Sequence, residues 1–183
     1  LIGLSAATAY AIRVTARDND GNESAGVNAT GVTLMPNPTG LSAEPLSSMA
    51  NLIWTPVLPA ENIKHYAVYA SETDFTSVDG MTPRLTVSGS SGGTQIAGLT
   101  NGTQYFFAVT TVNLSGGETK AVATVSTTPE ADQSGPDLTA LSYEGVPVTE
   151  GMSITTSGTI AVNAADQTGM SRVEFIVDGN LLA

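Results

Sequence analysis

The densest group of side chains that could do chemistry is a run of six residues near the start of the chain. Residues 18–23 read Asp-Asn-Asp-Gly-Asn-Glu, so carboxylate and amide oxygens surround one glycine. Ca²⁺ prefers such oxygens, which makes Asp18, Asp20 and Glu23 candidate calcium ligands. A calcium loop of the EF-hand type needs a glutamate at its twelfth position, however, and Ala29 stands there. Asp, Asn and Gly also suit a hairpin turn, and we favour the turn.

Other chemistry would have to come from very few groups. The chain has no cysteine and a single histidine, His65, which excludes disulfides, thiolate nucleophiles and thiolate metal sites. His65 alternates with Tyr66 along a predicted strand, and we expect it to point to solvent. An acidic cluster consists of Glu72, Asp74 and Asp79. Carboxylates hydrolyse glycosides only when they face each other across a cleft, so we predict that the chain is not an enzyme and holds no cofactor, with Ca²⁺ left open.

Composition argues against a polyanionic partner. Six Lys and Arg residues stand against 17 Asp and Glu, which gives a formal net charge of −11. Nucleic-acid binding needs clustered basic side chains, and here they are scattered, so we predict no nucleic-acid partner. No apolar run approaches the roughly 20 residues that cross a bilayer, so we predict no membrane insertion of this segment. The chain starts with Leu1 and lacks a basic leader, and we expect a piece of a longer protein.

An internal repeat organises the chain. Residues 1–33 align with residues 96–128 without a gap and share ten identical positions, among them Tyr10 with Tyr105. The two copies are offset by 95 residues (96 − 1). An offset of that size indicates a repeated small domain rather than a helical solenoid.

Apolar and polar side chains alternate with a period of two, which predicts short, half-buried strands. This alternation covers residues 50–54, 64–70, 105–111, 162–164 and 173–177. Clusters of Gly, Asn, Asp and Ser separate these stretches, and no stretch holds the 3.6-residue period of a helix. We therefore predict an all-β sandwich fold.

The order of these stretches resembles a fibronectin type III domain. Residues 38–43 and 52–56 are similar to its strands A and B, and residues 66–69 are similar to its strand C. Residues 99–109 resemble its E–F corner and strand F. The resemblance implies one complete domain over residues 36–128, within an all-β fold of tandem immunoglobulin-like β-sandwiches arranged as beads on a string.

A partial domain is expected on each side of the complete one. Residues 1–34 resemble the last strands, E to G, of another fibronectin type III domain. Residues 137–183 resemble the first part of a bacterial immunoglobulin-like domain, through a turn over 166–171 and the run Val-Glu-Phe-Ile-Val-Asp-Gly over 173–179. Short proline-containing linkers separate the three.

The resemblance also implies roles for individual side chains. The implied core positions are Trp54, Tyr66, Leu99, Tyr105, Leu4 and Tyr10. In this family the corner tyrosine hydrogen-bonds to nearby backbone. Tyr69 and Phe106 fall on the face opposite the core, where they form a candidate interaction face; the alternative is ordinary cross-strand packing.

Four Asn-X-Ser/Thr triplets fit the N-glycosylation pattern. They occupy residues 22–24, 28–30, 101–103 and 113–115. Turns use the same residues, and in a bacterial protein the match would carry no meaning.

The resemblance implies a non-catalytic segment of a large extracellular or cell-surface protein. Such a secreted, modular chain would act as a spacer or stalk, or as an adhesion and protein-interaction array. Its partners would be neighbouring domains of the same longer chain, with a cell-surface protein or carbohydrate as a further candidate. Two alternatives stay open: accessory modules of a secreted polysaccharide-degrading enzyme, and a structural subunit of an extracellular filament or assembly.

Overall fold

Strands make up nearly all of the regular structure. A computed structural model describes residues 2–181, and its one helical element is a 3-10 turn at Ala60–Asn62. All strand pairs are antiparallel, and the all-β prediction is confirmed. These residues contain no helix with the length and apolar character that a membrane crossing requires. The chain divides into two compact units, the first ending at Glu130 and the second starting at Ala131.

The first unit opens with a two-stranded hairpin. β1 (Ala9–Val14) pairs with β2 (Val27–Val32), with Ala9 opposite Val32. No side chain of residues 2–34 is buried. The hairpin therefore has no core of its own, as expected of two isolated strands.

Seven further strands of the first unit form the two sheets of a sandwich. In chain order they are β3 (Thr39–Leu46), β4 (Met49–Thr55), β5 (Ile63–Ser71), β6 (Leu85–Ser88), β7 (Gly93–Ala97), β8 (Tyr105–Asn113) and β9 (Val125–Thr127). One sheet has the strand order β3-β4-β7 and the other β6-β5-β8-β9. This is the two-layer arrangement that alternating short strands favour.

The core lies between the two sheets because the strands carry their apolar side chains on the inner faces. Its central contact is the edge-to-face packing of Trp54 on Tyr66, whose ring centroids lie 5.5 Å apart. The buried core cluster consists of Met35, Ala50, Leu52, Trp54, Val57, Ile63, Tyr66, Val68, Ile96, Leu99, Phe107 and Val109. β8 departs from the half-buried expectation, since its residues 107–113 are all buried.

The complete sandwich extends beyond the expected limits of 36–128 at both ends. Met35 is 1% exposed and belongs to the core cluster. Pro129 is also buried, and its carbonyl accepts a hydrogen bond from the Gly102 N–H at 2.7 Å. The folded module therefore includes both residues, which the proline-based boundaries leave outside.

The second unit has strands but little core. It contains β10 (Asp137–Tyr143), β11 (Val146–Pro147), β12 (Ile160–Ala165), β13 (Ile176–Val177) and β14 (Asn180–Leu181), with sheet order β11-β10-β12 and a separate β13-β14 hairpin. Among its described residues, Tyr143 is the one buried side chain. The strand expected over 173–177 is reduced to β13, which a tight turn with positive φ at Asp178 and Gly179 joins to β14.

Candidate functional site

The outer face of the four-stranded sheet is covered. Tyr69 is 1% exposed and packs in a second hydrophobic cluster with Ala67, Val78 and Val112. Phe106 lies on the same face, opposite Ser71, and is half-buried. The expectation of an open interaction face is therefore wrong for Tyr69, which is closed off from solvent, while the part of it that concerns Phe106 stays a prediction.

Two segments outside the regular strands supply this cover, the loop 72–82 and the stretch 118–122. The Val78 N–H donates to the Lys120 carbonyl at 2.9 Å, which ties the loop to the stretch. The Val122 N–H donates in turn to the Thr76 carbonyl, also at 2.9 Å. These backbone bonds satisfy groups that the cover would otherwise bury without partners.

Under this cover, the carboxylate of Glu118 collects three hydrogen bonds. The Tyr69 hydroxyl donates to Oε1 at 2.8 Å, and the Thr110 hydroxyl donates to the same oxygen. Lys120 Nζ lies 2.6 Å from Oε2. The Glu118 side chain is only 10% exposed. A carboxylate in such a place is costly unless donors surround it, and these three donors offset that cost.

The network shifts the titration of two of its members. Burial by itself would raise the pKa of Glu118, but the hydrogen bonds from Lys120, Thr110 and Tyr69 together hold it below its ordinary value. Burial, followed by the hydrogen bond to Glu118 and the negative charge there, raises the pKa of Tyr69 to about 12. At neutral pH the network therefore contains an ionised carboxylate and a neutral phenol.

The first copy of the repeat carries a related pair. Thr15 and Glu23 align with Thr110 and Glu118, and the hydrogen bond from Thr15 is the largest cause that lowers the pKa of Glu23. Glu23 also pairs with Arg17 at 3.0 Å, but at the exposed surface. Sequence reasoning missed the role of Glu118, although this shared Thr and Glu pair was the feature from which it could have been found.

The acidic loop 18–23 is a closed turn. Asp18 Oδ1 accepts the N–H groups of Asp20 at 3.0 Å and of Asn22 at 2.8 Å. The hydrogen bonds from the Asn22 side chain and backbone lower the pKa of Asp18. Within residues 2–181, no three His, Cys, Asp or Glu side chains are placed to hold a metal ion. Calcium binding by Asp18, Asp20 and Glu23 stays a prediction of the sequence.

The structure places three of the expected core residues deep inside the sandwich. Trp54, Tyr66 and Leu99 are 3%, 0% and 5% exposed. Leu4, also expected in the core, is 42% exposed. Leu4 precedes β1, and within the described residues the β1-β2 hairpin pairs with no second sheet that could cover it.

Both copies of the repeat form a tyrosine corner. The Tyr105 hydroxyl accepts a hydrogen bond from the Thr100 N–H at 3.2 Å. The Tyr10 hydroxyl accepts one from the Ser5 N–H at 2.8 Å. Both rings are half-buried, so these tyrosines fix a chain reversal at the edge of the core.

The remaining candidates do not converge on a site. His65, expected at the solvent surface, is half-buried on the outer face of β5, opposite Ser88. The acidic cluster of Glu72, Asp74 and Asp79 is exposed. Asp74 accepts a hydrogen bond from the Thr124 hydroxyl, which ties the loop 72–82 to the chain after the stretch 118–122.

Comparison with known proteins gives a family match and several similar folds. The family model of the fibronectin type III domain matches residues 36–127. Among solved structures, the chain is similar to the FN1–FN3 domains of chicken CNTN1, with 21% identity and a TM-score of 0.45 over 69% of this chain and 42% of that chain. A two-domain fibronectin type III segment of chicken tenascin shows 26% identity and a TM-score of 0.42, over 69% of this chain and 67% of that one.

A third similar structure is a β-1,2-glucanase from Parabacteroides distasonis, with 22% identity and a TM-score of 0.40. That match covers 63% of this chain and 17% of the glucanase chain. No curated protein sequence matches the chain. The family match includes neither the hairpin nor the second unit, so the immunoglobulin-like resemblance of residues 137–183 is not confirmed.

Proposed function

The chain belongs to the fibronectin type III family, and from this premise we propose that it is a non-catalytic segment of a large extracellular or cell-surface protein that acts as a spacer between other domains. One observation carries the proposal. The complete module follows directly on a hairpin that repeats its last strands, and the connecting residue Met35 is buried in the core of the module. Modules joined in this way form an array without a free linker.

The exposed acidic side chains and the covered sheet face of the complete module support a spacer role. The acidic residues of the complete module are mostly exposed and do not converge, so they act as a solvated surface. The proposed partners are the adjacent domains of the same chain. Since the outer face of the four-stranded sheet is closed over Tyr69, a protein or carbohydrate ligand at the cell surface would have to contact another part of the module.

Labelling of intact cells tests the proposed location. An antibody raised against the folded chain should label intact source cells as strongly as permeabilised cells, and externally added protease should remove the label. An antibody against a cytoplasmic protein of the same cells serves as the control for membrane integrity. Labelling that appears only after permeabilisation would overturn the extracellular role.

The same antibody separates the spacer proposal from its two rivals. Immunoprecipitation and mass spectrometry identify the full-length protein that contains this chain. A catalytic domain in that protein would favour an accessory module of a polysaccharide-degrading enzyme. Recovery of ordered filaments of one repeated subunit would favour a structural assembly.

A further inference from the structure

The hairpin and the complete module meet at a joint built around one buried amide. Asn113, the last residue of β8, is 1% exposed. Its Nδ2 donates to the Val32 carbonyl at 2.9 Å and to the Thr33 carbonyl at 3.0 Å. The amide nitrogen therefore binds the end of the hairpin, at the last residue of β2 and the residue that follows it.

Two further side chains of the module form hydrogen bonds with residues 2–34 near the same place. Asn62 Nδ2 donates to the Ala7 carbonyl at 2.9 Å, and the Ser115 hydroxyl accepts the Val32 N–H at 2.9 Å. Ala7 also packs against the core cluster of the module. Hydrogen bonds and an apolar contact thus join the start and the end of the segment 2–34 to the complete module.

The chain packs closely beside Asn113. A Cβ atom added at Gly117 would lie 3.0 Å from Leu34 Cδ2 and 3.0 Å from Asn113 Nδ2. The connecting residue Met35 is held as well, since the Thr119 hydroxyl donates to its carbonyl at 2.9 Å. The hairpin and the complete module are therefore joined by hydrogen bonds and by close packing at the same place.

We propose that Asn113 is a positioning residue that locks the hairpin and the complete module at one fixed angle, so that consecutive modules of this chain move as a single rigid body. Residues 34–40 contain two prolines and one glycine, a composition that indicates a short linker. The contacts of Asn113 make the connection part of the fold instead. This inference rests on the proposed array of modules, but the two fail in different experiments: cell labelling tests the location, and the measurement below tests the joint.

The repeat itself supplies the variant that tests the joint. Asn113 aligns with Asp18, and both side chains accept the N–H four residues on: Asn113 Oδ1 from Gly117 at 2.7 Å, and Asp18 Oδ1 from Asn22 at 2.8 Å. An aspartate therefore supports this turn but cannot donate. Asn113→Asp keeps the turn and its size, removes both donors to the hairpin, and sets a negative charge against two carbonyl oxygens.

Spin-label distances report on the angle of the joint. The chain has no native cysteine, so Asn28→Cys on the hairpin and Gln95→Cys on β7, both exposed, place one label on each side. Double electron–electron resonance on the full chain should give one narrow distance distribution. In the Asn113→Asp background the distribution should become at least twice as wide.

Asn101→Asp is the matched control. It makes the same change in another turn, where the Asn101 Oδ1 accepts the Ser48 N–H at 2.7 Å and no hairpin residue is involved; its distribution should stay narrow. A starting distribution already as wide as that of Asn113→Asp, or no broadening in that variant, would overturn the proposal. If Asn113→Asp does not fold, Asn113→Ala takes its place, since it removes both donors to the hairpin without adding a charge, and an unchanged width in that folded variant overturns the proposal equally.

Discussion

Glu118 shows how one residue ties separate elements of the module together. Its carboxylate receives Tyr69 from β5, Thr110 from β8 and Lys120 from the covering stretch. Because the side chain is 10% exposed, its charge depends on these donors rather than on water. We expect this residue to control both the stability of the cover and its response to acid.

Replacing Glu118 with Gln should lower the free energy of unfolding at pH 7 by about 1–3 kcal/mol, since the substitution removes the ion pair with Lys120 and the charge that strengthens the hydrogen bonds from Tyr69 and Thr110. The folded pKa of Glu118 lies below its ordinary value of 4.5. Its contribution is therefore fully present above that ordinary value and is lost as the pH falls through the lowered folded value. Urea unfolding at pH 7 and at pH 2 measures the difference between the two proteins, which should shrink in acid.

Glu23→Gln is the matched control for this prediction. Glu23 occupies the equivalent position in the first copy, but its ion pair with Arg17 is exposed, and exposed pairs contribute little. The loss in free energy of unfolding at pH 7 should be clearly smaller for Glu23→Gln than for Glu118→Gln. Equal effects, or a Glu118→Gln difference that does not change with pH, would contradict the role assigned to Glu118.

At this scale the sequence predicts core positions better than contacts. Trp54 and Tyr66 could be placed because buried apolar side chains alternate along a strand. The burial of Tyr69 could not be predicted, since an outward-facing side chain has the same pattern whether solvent or a distant loop lies over it. Asn113 was missed for the same reason, because the carbonyls that it binds lie 80 and 81 residues away in sequence.

At the scale of elements, two tyrosine hydroxyls of the four-stranded sheet bind backbone N–H groups that lie beyond the strands of the other sheet. The Tyr66 hydroxyl accepts the Val57 N–H at 2.7 Å in a fully buried position. The Tyr105 hydroxyl accepts the Thr100 N–H at the more exposed corner. The strands themselves were predictable from their period of two, whereas the loops that join them take positions that only tertiary contacts fix.

Tyr66→Phe should destabilise the module by about 1–3 kcal/mol, because the Val57 N–H is left buried without a partner. Tyr105→Phe is the matched control and should cost less, since water can replace its hydroxyl. The chain has a single tryptophan, and its ring packs on Tyr66, so its fluorescence follows urea unfolding of both variants. Similar losses in the two variants would contradict the importance of burial here.

At the scale of the whole molecule, the folded boundaries differ from the boundaries that composition suggests. Prolines mark the linkers in the sequence, but Met35 and Pro129 lie inside the module. Composition cannot locate such an edge, because a proline that begins a linker and a proline that ends a core look alike. The family match over residues 36–127 likewise stops short of both residues.

A fragment of residues 35–130 should unfold in one cooperative transition, and a fragment of residues 36–128 should melt at a lower temperature. The shorter fragment loses the buried Met35 side chain, worth about 2 kcal/mol, and the carbonyl partner of Gly102. For a domain of this size that corresponds to a drop of roughly 10 °C. Scanning calorimetry measures the melting temperatures of both fragments. Equal melting temperatures, or a broad multi-step transition for residues 35–130, would contradict the placement of Met35 and Pro129 inside the module.

The buried amide of Asn113 has a practical consequence for anyone who produces this protein. Asn113-Leu114-Ser115 is an acceptor triplet for N-linked sugar, and the enzymes of a eukaryotic secretory pathway meet the chain before it folds. A glycan attached there would occupy the nitrogen that holds Val32 and Thr33. Material from a bacterial host and material secreted by yeast or animal cells would then be two different molecules at the joint, even though they share one gene.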